Sequence, residues 1–261
     1  MAFNEVVCGP VAAEDPDCLT VLHISDMHLE HLSITPDRLR RSLAGKKIDL
    51  VALTGDFMDR KSSIPKLAPY LQALNDLAPR YGIYAVFGNH DYALKDRHLA
   101  RLKRLLNNYG CKVLQNDNDS FVVRGKRINV IGIDDFSTKR SDLQRSYRNI
   151  EDGFNLVLTH DPNVVLYMNG YAADYMLAGH FHGGQIHWPK PFHLAFMGEL
   201  VRMNKVKGLH SYGGKKFYIS EGLGQTGLNI RIGSRPEITL HRIALNTEAK
   251  TEQIGSASEA V

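Results

Sequence analysis

Apolar runs of strand length alternate with amphipathic stretches along the first half of the chain. Leu19–Ser25 (LTVLHIS) is a buried-strand run that stops at Asp26. Thr35-Pro36-Asp37 then opens a helix, with Thr as N-cap, Pro at the first helical position and Asp in the first turn. Leu39 and Leu43 mark its inner face, and Gly45 ends it. The unit recurs. Asp49–Thr54 is a strand, Ser63 and Pro65 start a helix carrying Leu67, Leu71 and Leu74, and Tyr81–Phe87 is a strand. Asp96–Tyr109 follows as a helix with Leu99, Leu102, Leu105, Leu106 and Tyr109 on one face. Such alternation predicts a largely parallel sheet with crossover helices. Ligands of such sheets sit outside the carboxyl ends of the strands.

The second half changes rhythm. Ser120–Arg124 and Arg127–Ile133 flank Gly125-Lys126 as a hairpin, and Phe154–Thr159, Tyr175–Ala178, Lys216–Ser220 and Glu237–Ile243 read as further strands. This predicts a second sheet packed on the first. Residues 1–17 read as a loose lead-in, 18–245 as one domain, and the small polar residues 246–261 as a disordered tail.

Composition narrows this little. With 261 residues, 43% of them hydrophobic, the chain can bury a sizeable core. A net charge of +4 suits anionic substrates but also fits a solvated basic surface. Three cysteines, Cys8, Cys18 and Cys111, match no metal-finger spacing, and an odd count argues against a disulfide framework. No Lys or Arg precedes Arg38, and no apolar run is long enough for a membrane span. The expectation is a cytoplasmic protein, at most peripheral to a membrane.

Five short motifs at predicted strand ends carry the chemistry: Asp26-Met27-His28, Gly55-Asp56-Phe57-Met58-Asp59, Gly88-Asn89-His90-Asp91, Thr159-His160 and Gly179-His180-Phe181-His182. Alone each occurs by chance; together they supply Asp26, His28, Asp56, Asn89, His160, His180 and His182 as oxygen and nitrogen donors without a thiolate. Such a set suits two divalent ions among Mn, Fe, Zn and Co, with Mn favoured. Two-metal hydrolases need a carboxylate bridge, and Asp56 lies between the ligand groups along the chain. A water held between the ions would be the nucleophile. His90 follows a ligand directly, so its ring should point away from the metals toward the substrate, where it suits a general acid. Asp59 and Asp91 are the candidates to hold it charged.

The motif series resembles that of the calcineurin-like metallophosphoesterase superfamily, from Leu19 to about Ile243. The resemblance implies an α/β fold, a four-layer α/β/β/α sandwich of two mixed sheets. It implies Asp26, His28, Asp56 and His182 on one metal and Asp56, Asn89, His160 and His180 on the other. It makes His90 the phosphate ligand or acid and Asp59 its partner. The reaction implied is hydrolysis of a phosphodiester or pyrophosphate bond in a small phosphate ester, lipid-linked ones included, with no stable nucleic-acid complex. Gly179-His-Phe-His-Gly-Gly-Gln185, the Ser220–Gly227 run and Arg235-Pro-Glu237-Ile238 look like a bacterial branch. That branch includes cell-envelope phosphoesterases and UDP-2,3-diacylglucosamine pyrophosphatases. Its members often carry an N-terminal export signal or anchor, and neither is expected from residues 1–17 here.

Two alternatives stay open: an inactive scaffold on the same fold, and a small nucleotide phosphodiesterase. Other residues invite plainer readings. His23 reads as a satisfied core histidine, and His241 and His187 as surface or structural. Asp134-Asp135 reads as a strand-end turn before a substrate contact. Gly222, Gly224 and Gly227 fit tight turns as well as close approach to phosphate, and Arg231 is a minor candidate for substrate contact. Residues 188–203, with Trp188, Phe192 and Phe196, read first as core and second as a hydrophobic lid.

Overall fold

The computed structural model describes residues 2–9, 18–186, 196–226 and 230–245. The first half runs β1 (Ala2–Cys8), β2 (Cys18–Ile24), α1 (Pro36–Leu43), β3 (Leu50–Thr54), α2 (Ile64–Asn75), β4 (Ile83–Val86), the single turn α3 (Asn89–Tyr92), α4 (Asp96–Asn108) and β5 (Cys111–Val113). The second runs β6 (Asp117–Val123), β7 (Lys126–Gly132), the single turn α5 (Leu143–Ser146), β8 (Phe154–Leu158), β9 (Tyr175–Ala178), the single turn α6 (Glu199–Arg202), β10 (Gly208–Tyr212), β11 (Lys215–Ile219) and β12 (Glu237–Ala244).

Two six-stranded mixed sheets result, in the orders β1-β12-β2-β3-β4-β5 and β10-β11-β9-β8-β7-β6. Strands β2 to β5 are parallel, as the alternation predicts, because each crossover carries or adjoins a helix or turn. The second sheet is less hairpin-like than expected. Strands β7, β8, β9 and β11 are parallel, and only the edge pairs β6–β7 and β10–β11 are antiparallel.

Period-two alternation on apolar strands builds the layers. Leu22 and Ile24 of β2, Val51 and Leu53 of β3 and Ile83 and Ala85 of β4 pack with Leu39, Leu67, Leu71 and Leu102 of the helices. Their neighbours Leu19, Val21, Leu50, Ala52, Tyr84 and Val86 meet Ile128, Val130, Leu156, Leu158, Tyr175 and Leu177 of the second sheet. The outer face of the second sheet is covered by Val164, Val165, Met168, Leu200, Val201 and Val206, mostly from single turns and connections. The architecture is the α/β/β/α sandwich, with one outer layer thin.

One boundary needs correction. Residues 2–8, read as part of a loose lead-in, form edge strand β1 and pair in parallel with β12. That segment is half-exposed and interrupted by Asn4 and Glu5, so its pattern carries no core signal, and its partner lies more than 200 residues away. Asn4 Nδ2 donates to Glu237 Oε2 at 2.6 Å and helps hold it there. Residues 10–17 and the tail 246–261 lie outside the described residues.

Candidate metal centre

All five motifs fall just past the carboxyl ends of parallel strands: β2, β3 and β4 in one sheet, β8 and β9 in the other. Within each sheet the motif loops are tied by backbone bonds, and one loop crosses between the sheets. Asp26 N–H donates to Gly55 C=O (3.0 Å), His28 N–H to Asp56 C=O (3.1 Å), and Gly179 N–H to His160 C=O (3.0 Å). Leu223 and Gly224 N–H reach from the loop after β11 to Ser25 and Asp26 C=O, at 2.9 and 2.7 Å.

The motif glycines have a steric reason. A Cβ on Gly88 would overlap the Asp56 carboxylate, and one on Gly179 would overlap Ser25 and the Asp26 carboxylate. Backbone strain concentrates in the same loops. Asp26, His28, Asp56, His180 and His182 all have positive φ, between 37° and 76°. Non-glycine residues hold that conformation only where their surroundings impose it, commonly at functional sites.

The side chains converge in two overlapping groups. Asp26, His28 and His182 offer ligand atoms within 4.8 Å of one another, and so do Asp26, Asp56 and His160. Asp56 Oδ2 lies 3.5 Å from His28 Nε2 and 3.2 Å from His160 Nε2. His182 Nε2 is 3.2 Å from His28 Nε2 and 3.4 Å from Asp26 Oδ1. His180 Nδ1 is 3.2 Å from His160 Nε2. Asn89 Oδ1 is buried without a hydrogen-bond partner, and so is His182 Nδ1.

This arrangement fits divalent cations. Imidazole nitrogens facing one another and a carboxylate at such distances leave lone pairs directed into a shared space. Orphaned buried acceptors are rare unless an ion or water meets them. Outer contacts set the tautomers: His160 Nδ1 donates to Thr54 C=O at 2.7 Å, and His28 Nδ1 lies 2.7 Å from Asp59 Oδ1. Each leaves Nε2 as the inward donor atom, the usual pattern behind metal-binding histidines.

The charges tell the same story. Burial opposes ionisation of Asp56, yet His160, then His28 and His90, hold its carboxyl well below the usual range. Burial pulls His160 down, but Asp56, Asp26 and Asp135 together raise it well above its ordinary value. The carboxylates thus bind positive charge strongly where the rings meet. His182 is pushed down to about 3 by burial, helped by the nearby His28 and Arg231 charges, which outweigh Asp26.

His90 stands beside this cluster. A ring nitrogen comes within 4.8 Å of His28 and Asp56 ligand atoms, and its ring sits edge-on to His28, with centroids 4.8 Å apart. It therefore does not turn clear of the ligands as the sequence suggests. Its Nδ1 is 2.8 Å from Asp59 Oδ1, and its side chain is a third exposed. Burial pulls the ring down, but the Asp59 hydrogen bond and the charges on Asp56 and Asp59 raise it to about 9. Asp91, the other candidate partner, faces elsewhere. It accepts N–H bonds from Asp56 (2.8 Å), Phe57 (3.0 Å) and Gly88 (3.0 Å), which staple two motif loops together.

The calcineurin-like phosphoesterase profile matches residues 19–184, the stretch that contains all five motifs. The chain belongs to this family. It is a metal-dependent phosphoesterase, a hydrolase, of the α/β two-sheet fold. YkoQ of Bacillus subtilis (strain 168), an uncharacterized metallophosphoesterase, is 58% identical over 225 residues, covering 86% of this chain and 83% of the relative. The UDP-2,3-diacylglucosamine pyrophosphatase LpxG of Chlamydia muridarum is 28% identical, covering 86% and 83%. The phosphodiesterase YaeI of Escherichia coli (strain K12) is 27% identical, covering 84% and 80%. Among solved structures, the phosphopantetheinyl hydrolase of Mycobacterium tuberculosis aligns at a TM-score of 0.50 and 12% identity, over 79% of this chain and 90% of that one. That likeness concerns the fold alone.

Several residues of this phosphoesterase matter more than their sequence signal suggests. Arg231 donates to the carbonyls of Glu221 (2.8 Å), Gly222 (3.2 Å), Gly224 and His182 (3.5 Å), and to Ser234 Oγ (2.8 Å). Ser234 Oγ in turn donates to His182 C=O at 2.7 Å. Arg231 is thus a backbone clamp on the His182 loop. Glu30 accepts the N–H groups of Asp59 (3.0 Å) and Arg60 (2.9 Å), which fixes the loop bearing Asp59. No spacing rule finds such residues, because they bind backbone rather than ligand. Gly222 and Gly224 pack against Asp26 and Met27. Gly227 and His187 lie outside the described residues. Asp135 accepts Ser137 Oγ (2.7 Å) and Thr138 N–H (2.8 Å), the expected turn. His23 and His241 are both fully buried.

Proposed function

We propose that the chain hydrolyses a phosphodiester or pyrophosphate bond at a dinuclear centre. Asp26, His28, Asp56 and His182 would hold one ion, and Asp56, Asn89, His160 and His180 the other. The observation that carries this reading is the position of Asp56 Oδ2 between His28 Nε2 and His160 Nε2. His90 N–H donates to Asp56 Oδ1 at 2.9 Å and so leaves Oδ2 to face both histidines. When bound, two divalent ions supply a nucleophile from water at neutral pH and neutralise phosphate oxygens. Manganese is the ion we favour for this mixed oxygen and nitrogen donor set.

The chain's own groups do the rest. Asp59 holds the His90 ring through Nδ1, so the other ring nitrogen is the one left to give a proton to the leaving oxygen. The Asp59 carboxylate on Nδ1 favours the protonated ring, which supports this role. The partly exposed His90 ring borders solvent while Asp26, His28, Asp56 and His160 are buried, so substrate reaches the acid from the open side. We assign the work to the cytoplasm, a reading supported by the free thiols of the buried Cys8 and Cys111. No helix among the described residues is long and apolar enough to cross a membrane.

The test is metal analysis together with a substrate panel in manganese: bis-p-nitrophenyl phosphate, cyclic nucleotides, UDP-sugars and UDP-diacylglucosamine. The last is included because the chlamydial relatives carry that activity in their name. Two ions per chain with turnover are expected. Asp56→Asn should weaken both ions and abolish turnover while the fold survives. An active Asp56→Asn protein holding two ions tightly would sink the dinuclear reading.

A further inference from the structure

The candidate metal centre has two unlike flanks. Beside Asn89 and His180 opens a cavity of about 730 Å³ walled by Phe136, Leu166, Tyr167, Phe196 and Met197. Asn163 fixes that wall: its Nδ2 donates to Met197 C=O (2.8 Å) and its Oδ1 accepts Leu200 N–H (3.2 Å). The flank beyond His90 and Asp59 is cationic instead. Lys61 stands two residues past Asp59, within about 7 Å of chain. Lys95 caps α4, five residues past His90. Arg97, Arg101 and Arg104 follow on the exposed face of α4, opposite the buried Leu102 and Leu106. Their spacing of three and four residues is about one turn, roughly 5.4 Å of rise. Strands β4 and β5 are parallel, so α4, which joins them, runs back from their carboxyl ends. The cations therefore form a track that starts at the motif loops and leads away down the outer layer.

Three observations separate this track from an ordinary solvated face. First, its five cations make no ion pair with a described carboxylate. Second, they stand at the wrong end of the helix. A helix dipole favours basic residues in the last turn and disfavours them in the first. The last turn of α4 has none, while Lys95 and Arg97 stand at its start with Asp96 alone to oppose them. Third, they converge. Arg97 Nε donates to His98 Nε2 at 3.3 Å. Partial burial and the charges of Arg97, Lys61, Arg101 and Lys95 hold that ring below its ordinary value. Like charges gathered without counter-ions repel one another, and a bound anion relieves the repulsion. The surface also narrows the occupant. No exposed residue of α4 is aromatic, and only Ala100 is apolar. A nucleic acid would find nothing to stack its bases on, and a membrane would receive no apolar face. A chain of regularly spaced negative charges needs neither.

We propose that this track binds a linear polyanion of repeating phosphodiester units without bases, and that the site cleaves its terminal unit. This rests on the hydrolytic reading of the metal centre and adds the substrate class. The scissile phosphate lies among the ligand groups, and the rest of the chain runs past His90 along α4. One water adds across the terminal P–O bond. Its oxygen joins phosphorus, so the released unit is a phosphate monoester. The oxygen of the remaining chain takes the His90 proton and leaves as an alcohol, and the water's proton restores His90.

The experiment uses the manganese-loaded full chain and fluorescein-labelled abasic phosphodiester oligomers of two, four and eight phosphates. Binding is read by anisotropy in the first second after mixing, and cleavage by release of the terminal unit. Affinity should rise at least about tenfold from the shortest to the longest oligomer. Log Kd should climb with log salt at a slope of about 2–3, roughly 0.7 for each phosphate neutralised. Arg97→Glu with Arg101→Glu should lower that slope by about 1.4, two contacts' worth, and remove most of the length dependence. Arg97→Gln with Arg101→Gln should act in the same direction at less risk to the fold. Arg145→Glu with Arg148→Glu makes the same change in net charge at and after α5 and should leave slope and length dependence in place. Binding that ignores length, or a slope kept in the Arg97 and Arg101 variants, would overturn the assignment. So would equal loss in the Arg145 and Arg148 variant, or tighter binding of oligothymidylate or of phosphatidylglycerol vesicles. Oligomers bound but uncut while bis-p-nitrophenyl phosphate is hydrolysed would overturn it too. Each of these leaves the phosphoesterase reading intact. Length-dependent binding with no turnover of any diester would overturn the hydrolytic reading and leave the docking track standing.

Discussion

His28 and His90 share one carboxylate oxygen: Asp59 Oδ1 lies 2.7 Å from one Nδ1 and 2.8 Å from the other. The two rings nevertheless differ in role, and variants should separate them. His90→Asn should keep near-normal metal content and lose roughly 10²–10⁴ in rate on poor leaving groups, the range for general acid catalysis. The loss should shrink for p-nitrophenolate, which needs little protonation; an equal loss on both would argue that His90 only binds phosphate. Asp59→Asn should do more, since it also frees His28, and removing such an outer partner costs about 10–100-fold in metal affinity. Gly179→Ala tests the steric argument. Its methyl would enter the space of the Asp26 carboxylate, so metal content should fall even where the circular dichroism spectrum is retained. Normal metal content would mean the loop relaxes freely.

At the scale of elements, the site depends on a loop from the far end of the chain. Arg231 clamps the Glu221–Gly224 loop to the His182 loop, and Glu237 N–H donates to Gly222 C=O at 3.1 Å where β12 begins. Arg231→Met would leave several of these carbonyls without donors, at about 1–3 kcal/mol for each group that stays buried. The expected result is a lower Tm and selective weakening of the ion on the His182 side, read as loss of one of two ions in a chelator titration. Arg231→Lys should not restore it, because one ammonium cannot span the separate acceptors. Simultaneous loss of both ions would mean the loop supports the whole centre rather than one half. The described part of residues 188–203 divides between its two sequence readings. Leu200 and Val201 are buried in the core, as the plainer reading expects, while Phe196 projects into solvent. Trp188 and Phe192 lie outside the described residues.

Across the whole molecule, the interface between the sheets is graded from apolar to polar toward the metal centre. His23 Nε2 lies 2.8 Å from Thr54 Oγ1, and His241 Nδ1 lies 2.9 Å from Tyr175 Oη; the other nitrogen of each ring is unpartnered. Burial pushes His23 down to about 3 and His241 well below its ordinary value. Both are neutral when folded, whereas the unfolded chain takes up protons below about 6.5. Their contribution to stability is therefore present above that pH and is lost as pH falls from there toward 3. His241→Gln keeps an acceptor for Tyr175 and should flatten the pH dependence of the urea midpoint between pH 6 and 4. The difference should approach about 1.4 kcal/mol per pH unit. An unchanged slope would mean that His241 is protonated in the folded protein.

The five motifs, the parallel β2–β5 sheet and its crossover helices were legible because each is encoded locally. Period-two apolar runs, helical spacing and a Thr-Pro-Asp start all act within a few residues. Asp26, His28, Asp56, Asn89, His160, His180 and His182 could be singled out as candidate ligands because donor residue types are few and their motifs sit at strand ends. What the tertiary structure alone decided is everything that depends on contacts between distant segments. β1 is a strand only because β12 lies beside it. Asp59 rather than Asp91 meets His90, because Asp91 is drawn to three backbone N–H groups. Arg231, Ser234, Glu30 and Asn163 act on backbone, where any spacing serves and no pattern is left to read. The apolar cavity beside His180 gathers Phe136, Leu166, Tyr167, Phe196 and Met197 from three separate connections. The order of residues alone could not bring those walls together, since their only common feature is position in space.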